Sequence, residues 1–361
     1  MDSKKAIYIK LLDAGHEVER KLNDSLEQTC LAIDNMKVDY TDSGLPEINP
    51  WKNMPIGVAK DYWSSGMRSK LPNILAYLEV YAFIISNAIP QNKELEEITL
   101  LDFGGGAGYM SLLAKQVGIG KVVYHDRDPG VQSRAQIIGE TLSLEADQYL
   151  CGTEDILLNY PATFNSIVSS DVLEHVYSAE NVIQCWGVAA AEGAKMFHQT
   201  GANYRNLHQR WHLSKMHRED EARYILQSRK ELIVQSFPTL SEKEVITLAE
   251  KTRGLNAADI KSAVENFLIT KNIPEPDHPT NTCELSGYWI ERFMEPENVA
   301  AECRKHGFKA EVKGSRWGVG KSSFLAATFK KFLNLLASTS TWMSLRVTFY
   351  YCIAAEKKQQ Q

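Results

Sequence analysis

The chain lacks any run of about 20 apolar residues, the length a helix needs to cross a bilayer. Its two most apolar stretches fall short. Residues 74–89 carry Glu79 and Asn87, and residues 332–354 are broken by Ser338, Thr339, Ser340, Thr341 and Arg346. No membrane span is expected from either. The opening Met1-Asp2-Ser3-Lys4-Lys5 leads into a charged amphipathic stretch instead of an apolar secretory core, so a cytoplasmic protein with no membrane partner is expected. Cysteine is sparse. The six residues Cys30, Cys151, Cys185, Cys283, Cys303 and Cys352 follow no CxxC or regular spacing. This excludes a disulfide framework or a zinc site and leaves reduced, mostly buried thiols. An excess of positive charge is also missing: 40 Lys and Arg stand against 45 Asp and Glu, for a net charge of −5. Nucleic acid is therefore an improbable general partner.

What is present is concentrated between residues 98 and 200. An apolar run, Ile98 to Phe103, contains Asp102 and meets glycines at Gly104, Gly105, Gly106 and Gly108, before the apolar helix start Met110, Leu112, Leu113, Val117. Bare backbone at the carboxyl end of a strand lets a ligand approach where a Cβ would collide with it. A dinucleotide fingerprint needs Gly-x-Gly-x-x-Gly, and Tyr109 occupies its third glycine position. The spacing is instead Asp-x-Gly-x-Gly-x-Gly, complete at Asp102, Gly104, Gly106 and Gly108. A carboxylate at Asp102 suits a cationic ligand group and repels phosphate.

A second short strand, Lys121 to His125, ends in Asp126-Arg127-Asp128-Pro129. An acid about 20 residues beyond such a loop is placed to hold a ribose diol, and Asp126 takes that role. Asp128-Pro129 reads as the cap and first turn of the next helix. Strands are expected near 98–103, 121–125, 147–151, 164–169 and 193–198, with helices between them. The alternation predicts a parallel sheet with a ligand crevice at the carboxyl ends of its strands.

Taken together, Asp102 to Gly108, Asp126, Tyr149 to Ile156 and Phe164 to Val176 resemble, in order, the motifs of the class I S-adenosylmethionine-dependent methyltransferases. The Asp171-Val172-Leu173-Glu174-His175-Val176 segment is similar to the subgroup that includes the ubiquinone-biosynthesis O-methyltransferases. One departure is Asn165, where the family usually has Asp. The resemblance covers residues 98–200 well and 294–355 loosely. It implies an α/β fold: a Rossmann-like, seven-stranded, mostly parallel sheet with helices on both faces. The expected cofactor is S-adenosyl-L-methionine. Asp102, Gly104, Gly105, Gly106 and Gly108 would cradle its methionine portion, and Asp126 with Arg127 its ribose. Thr153, Glu154, Asp155 and Ile156 would border the adenine, while Asp171 and Val172 would line the methyl-donor side. The Asn-Pro-Pro-Tyr motif of nucleobase amino-group methylation is absent after the fourth strand.

At 361 residues the chain exceeds one minimal core. Residues 1–92 are expected to form an amino-terminal helical extension covering the cofactor, with Trp51, Tyr62, Trp63 and Met67 as candidate cover. Residues 93–200 form the cofactor-binding core. Residues 201–290, lacking strand alternation, form a helical insertion that serves as a lid or substrate subdomain. Residues 291–361 complete the core with helix 297–306, strand 308–313, helix 322–336 and strand 346–354.

For chemistry, a hydroxyl acceptor needs a base, and His198 and His175 are the candidates. Gln199, Asn203, Arg205, His208 and His212 are candidate acceptor contacts. Residues 203–218 contain Arg205, Arg210, Lys215 and Arg218 and no acid, which would suit an anionic acceptor. His208 and His212 stand i, i+4 without supporting ligands, so no metal is expected. Gly314 to Ser322 imitates a P-loop, but five residues separate its outer glycines instead of four. The reading is methyl transfer to a hydroxyl of a small polar acceptor, a sugar or secondary metabolite; the sequence leaves the oligomeric state open, with a homodimer among the candidates. Methylation of an amine or macromolecule, or cofactor binding without turnover, are the alternatives.

Overall fold

The computed structural model describes residues 3–35, 74–274, 292–320 and 322–359. Trp51, Tyr62, Trp63 and Met67 lie outside the described residues. The described residues open with two helices, α1 (Ser3–Asp24) and α2 (Leu26–Asn35). The buried residues Leu11, Ala14, Gly15, Val18 and Leu22 recur at helical spacing and form the inner stripe of α1. Helix α3 (Ile74–Ala88) is apolar on nearly every side and is correspondingly buried.

The sheet follows. Strands β1 (Thr99–Phe103), β2 (Lys121–Asp126), β3 (Gln148–Cys151), β4 (Phe164–Ser170) and β5 (Ala190–Thr200) are parallel, in the spatial order 3-2-1-4-5. They alternate with α4 (Tyr109–Val117), α5 (Pro129–Leu142) and α6 (Ala179–Ala189). Strand residues alternate between the faces, as a sheet covered on both sides requires. Leu100, Val122, Val168 and Phe197 enter the core shared with α1, α3 and α4. Leu101, Val123, Ile167 and Met196 enter the core around Trp186.

Asp128 caps α5 as its sequence position predicts. Its carboxylate accepts hydrogen bonds from the Gly130 and Val131 amides at 2.7 and 3.1 Å, with Pro129 in the first turn. Asp128→Ala is expected to cost about 1 kcal/mol of stability, read as a lowered urea midpoint at unchanged m-value. Asn165 also finds a partner: its side-chain oxygen accepts from the Thr99 amide at 3.0 Å and ties β4 to the start of β1.

Beyond β5 come α7 (Leu207–Asp220), a π-helical turn (Glu221–Ile225), α8 (Leu226–Ser236), α9 (Glu242–Lys251) and α10 (Ala257–Thr270). Ile225, Leu232, Val245, Leu248, Ile260 and Val264 give the last three helices a small core of their own. Helix α11 (Pro296–Lys305) returns the chain to the sheet, followed by β6 (Phe308–Gly314), α12 (Phe324–Thr339), α13 (Thr341–Val347) and β7 (Tyr351–Lys357). Strand β7 runs antiparallel between β5 and β6, completing seven strands in the order 3-2-1-4-5-7-6.

One expectation is corrected here. Residues 346–354 are not all strand, because α13 occupies 341–347 and β7 begins at Tyr351. Ser340 starts that helix by accepting a hydrogen bond from the Met343 amide at 3.1 Å.

Candidate active site

The glycine bend sits at the carboxyl end of β1, between the ends of β2 and β4. Gly104, Gly106 and Gly108 all have positive φ, and Gly108 leads directly into α4. A Cβ at residue 104 would lie 2.4 Å from Val172 Cγ2, and one at residue 105 would lie 2.5 Å from the Tyr124 ring. The bend is thus clamped between the β4 loop and β2. Gly106 differs: a Cβ there would meet nothing within 4 Å. This is the open face of the cradle, where a ligand can touch backbone.

Asp102 lies beneath the bend, fully buried. Its Oδ2 accepts hydrogen bonds from the Ser111 amide at 3.0 Å and hydroxyl at 2.7 Å, which fixes the first turn of α4. Its Oδ1 is buried and accepts none from the described residues. Burial pushes the Asp102 carboxyl up to about 6, partly offset by the Ser111 hydrogen bonds. A cationic ligand group at the bend would favour the carboxylate, so the orphaned oxygen fits the ammonium end of an amino acid.

Asp126, at the tip of β2, is also pushed up to about 6 by burial. Its Oδ2 accepts from the Gly106 amide at 3.1 Å and its Oδ1 from the Asp128 amide at 3.0 Å. The same carboxylate therefore shapes the glycine bend and stands in position for a ribose. Tyr124 adds a hydrogen bond from its hydroxyl to the Gly106 carbonyl at 2.7 Å. The strand registers place Asp126 beside Cys151 and Phe103 beside His125, so Thr153, Glu154, Asp155 and Ile156 continue the same rim. His125 is stacked on Phe103 at 4.4 Å, and burial drops it to about 4, so it stays neutral near pH 7.

Across the bend, Asp171 follows β4 with a positive φ of 54°. Its Oδ1 accepts from the Gly201 amide at 2.9 Å. The residue is exposed on its crevice side, while the protein packed behind its carboxyl strips away part of its water. Burial, together with the neighbouring Glu174, pushes it up to about 8, while His175 opposes the rise. Tyr77, Tyr81 and Tyr350 line the same crevice. The charge of Asp171 is the largest influence raising Tyr350, and it adds to burial in raising Tyr77 and Tyr81. Tyr81 also feels Asp102 and Tyr109, so it spans from the glycine bend to Asp171. These three tyrosines carry no motif. The only sequence signal is the i, i+4 pair Tyr77 and Tyr81 in an otherwise apolar helix.

The other candidates are placed elsewhere. His198 is fully buried, with Nδ1 3.2 Å from the Ser169 hydroxyl and its ring near Trp186, and burial lowers it to about 3. Gln199 is buried and accepts a hydrogen bond from the Ser315 hydroxyl at 2.5 Å. Asn203 is buried as well, donating to the Leu345 and Thr348 carbonyls at 2.9 and 3.3 Å. Arg205 pairs with Glu297 at 3.1 Å. His208 and His212 are exposed on α7, and His208 stacks on Phe349 at 5.5 Å. The structure therefore does not gather these residues around Asp171. The P-loop imitation is filled from within the chain: the Val319 and Gly320 amides donate to the Glu79 carboxylate at 2.5 and 3.2 Å.

A methyltransferase-domain family model matches residues 75–235. The ubiquinone biosynthesis O-methyltransferase of Methylocella silvestris is 27% identical over 154 residues, or 40% of this chain; the chain spans 59% of that relative's length. An S-adenosylmethionine-dependent methyltransferase of Thermotoga maritima is 11% identical and aligns over 84% of this chain and all of its own, with a TM-score of 0.44. One from Methanosarcina mazei is 14% identical over 77% of this chain and 98% of its own, with a TM-score of 0.40. The Asp102 to Gly108 bend, the acid at the tip of β2 and the 3-2-1-4-5-7-6 sheet agree with the family-model match: residues 75–235 form a methyltransferase domain similar to those of the class I S-adenosylmethionine-dependent methyltransferases.

Proposed function

We propose that the protein transfers a methyl group from S-adenosylmethionine to a hydroxyl of a small acceptor, with Asp171 as the base. The observation that carries this reading is geometric. The Asp171 carboxylate, held by the Gly201 amide at 2.9 Å and next to Tyr350, follows β4 across from the glycine bend, where Val172 packs on Gly104. Its surroundings also raise it to about 8. When bound, the cofactor supplies an activated methyl carbon on a sulfonium, so the chain's work is to hold, orient and deprotonate. Gly104, Gly105, Gly106, Gly108 and Asp102 take the methionine end, Asp126 and Arg127 the ribose, and Thr153 to Ile156 the adenine. Val172, packed on Gly104, closes the donor side. The acceptor must be held about 3 Å from the donor, and Tyr77, Tyr81 and Tyr350 provide aromatic surface to hold it.

A base near neutrality suits hydroxyl deprotonation. His198 is walled into the sheet, so Asp171 is the better candidate, with His175 opposing the rise that burial and Glu174 impose on it. Helices α8 to α10 are read as a lid or acceptor subdomain. The Tyr177 hydroxyl donates to the Asp259 carboxylate of α10, linking them to the loop that carries Asp171 and Glu174. Acidic and aromatic walls would also accept a protonated amine, which favours N-methylation as the second reading. Incubation with donor labelled in its methyl group, followed by mass-spectrometric location of the label in a fractionated extract, separates the two. Label on oxygen supports the first reading, and label on nitrogen replaces it with the second.

A further inference from the structure

Helix α12 is docked inside out. Its polar face holds it to the body: the Asn334 side chain accepts from the Trp317 amide at 2.7 Å and donates to the Trp317 carbonyl at 3.0 Å. Lys330, one turn earlier, donates to the Gly318 carbonyl at 3.0 Å. Its apolar face points outward. Phe324 is 83% exposed, Leu325 80% and Leu335 65%, and Phe329 and Phe332 stand exposed beside them. None of its 16 residues is buried. A surface helix of a globular protein ordinarily does the reverse, burying its apolar stripe. The exposed face continues onto Trp342 of α13 and onto Leu207 and Trp211 of α7. A cavity of about 550 Å³ joins these elements, lined by Leu207, His208, Trp317, Phe329, Leu333 and Phe349.

The chain segments that carry this face are basic, although Arg205 at the cavity pairs with Glu297. Residues 312–355 contain Lys313, Arg316, Lys321, Lys330, Lys331 and Arg346 and no acid, in a chain whose net charge is −5. Residues 193–218, which include all but the end of α7, likewise contain basic residues and no acid. Aromatic and aliphatic residues on one side of a helix with lysines on the other, bordered by tryptophans, are the composition of a helix lying in the plane of a membrane interface. Pairing with a second copy is the weaker match, because residues 312–355 and 193–218 offer no acid to meet Lys331 and Arg346 of the other copy.

We propose that α12, with α13 and the exposed face of α7, seats the protein on an anionic lipid bilayer as a peripheral protein. This is a seat and not a span: no helix among the described residues is long and apolar enough to cross a membrane. It revises the expectation of no membrane partner and does not depend on the methyl-transfer reading. The face also adjoins the acceptor crevice in sequence, since Phe349 lines the cavity and Tyr350 the crevice.

Sedimentation of the full chain with phosphatidylcholine vesicles, and with vesicles of equal parts phosphatidylcholine and phosphatidylglycerol, tests it. The wild type is expected to sediment with the anionic vesicles and to be released by salt. Phe324→Ser with Leu325→Ser should abolish sedimentation. Lys331→Gln with Arg346→Gln should lower partitioning about 25-fold, at roughly fivefold per cation lost. The substituted side chains are exposed, and an unchanged melting transition confirms folding. Failure to sediment with anionic vesicles overturns the proposal. So does equal binding to both vesicle types, or a concentration-dependent dimer that the Phe324→Ser, Leu325→Ser variant dissolves.

Discussion

Replacing Asp126 with alanine is expected to weaken S-adenosylmethionine binding by ~100-fold or more, measured by titration calorimetry. The size follows from what the carboxylate would contribute. A charged acceptor hydrogen-bonded to two hydroxyls is worth about 1.5–3 kcal/mol per bond. The substitution also frees the Gly106 and Asp128 amides that Asp126 now holds. Loss of those contacts would loosen the bend on which the methionine end rests, so the effect exceeds that of one missing ligand contact. Unchanged affinity would remove Asp126 from the ribose site.

Asp171→Asn is expected to lower kcat by 10²- to 10⁴-fold, the usual contribution of a general base, while cofactor affinity stays within a few-fold. Asparagine is the right replacement because it tolerates the left-handed backbone at residue 171 and can still accept the Gly201 amide. The wild-type pH profile provides the companion measurement. Because burial and Glu174 raise Asp171 to about 8, the carboxyl holds its proton below that pH and cannot take another. The rate should therefore climb with pH, level off above about 8, and lose this limb in the asparagine variant. A flat wild-type profile, or an asparagine variant with full activity, would take the base role from Asp171.

The cofactor half of the site was legible in the sequence because its chemistry is local. Asp102 and the glycines share one turn, Asp126 ends the adjacent strand, and Asp128 caps the helix that follows it. Spacing alone fixes such neighbours. The acceptor half was not legible, because it is assembled across the fold. Tyr77 and Tyr81 arrive from a helix before the sheet, and Tyr350 from the turn into the last strand. Gln199 ends the fifth strand with Thr200, and Asn203 lies just beyond it, where acceptor residues would stand. The antiparallel β7 and its preceding turn close over that end, so their amides are spent on Ser315, Leu345 and Thr348. Glu79 reads in the sequence only as a charge interrupting an apolar run. Its function in the fold is to hold the 319–320 amides, a contact across 240 residues that no periodicity encodes. Helix α12 has a clear amphipathic pattern, but pattern alone does not say which face meets the body.

The most direct measurement is a calorimetric titration of the wild-type protein with S-adenosylhomocysteine, repeated with a dinucleotide. Saturable one-to-one heat with the first, none with the second, and its collapse in Asp126→Ala is the outcome this structure requires. Absent heat with the adenosyl compound, or preferential uptake of the diphosphate, would contradict the assignment of the Asp102 to Gly108 bend.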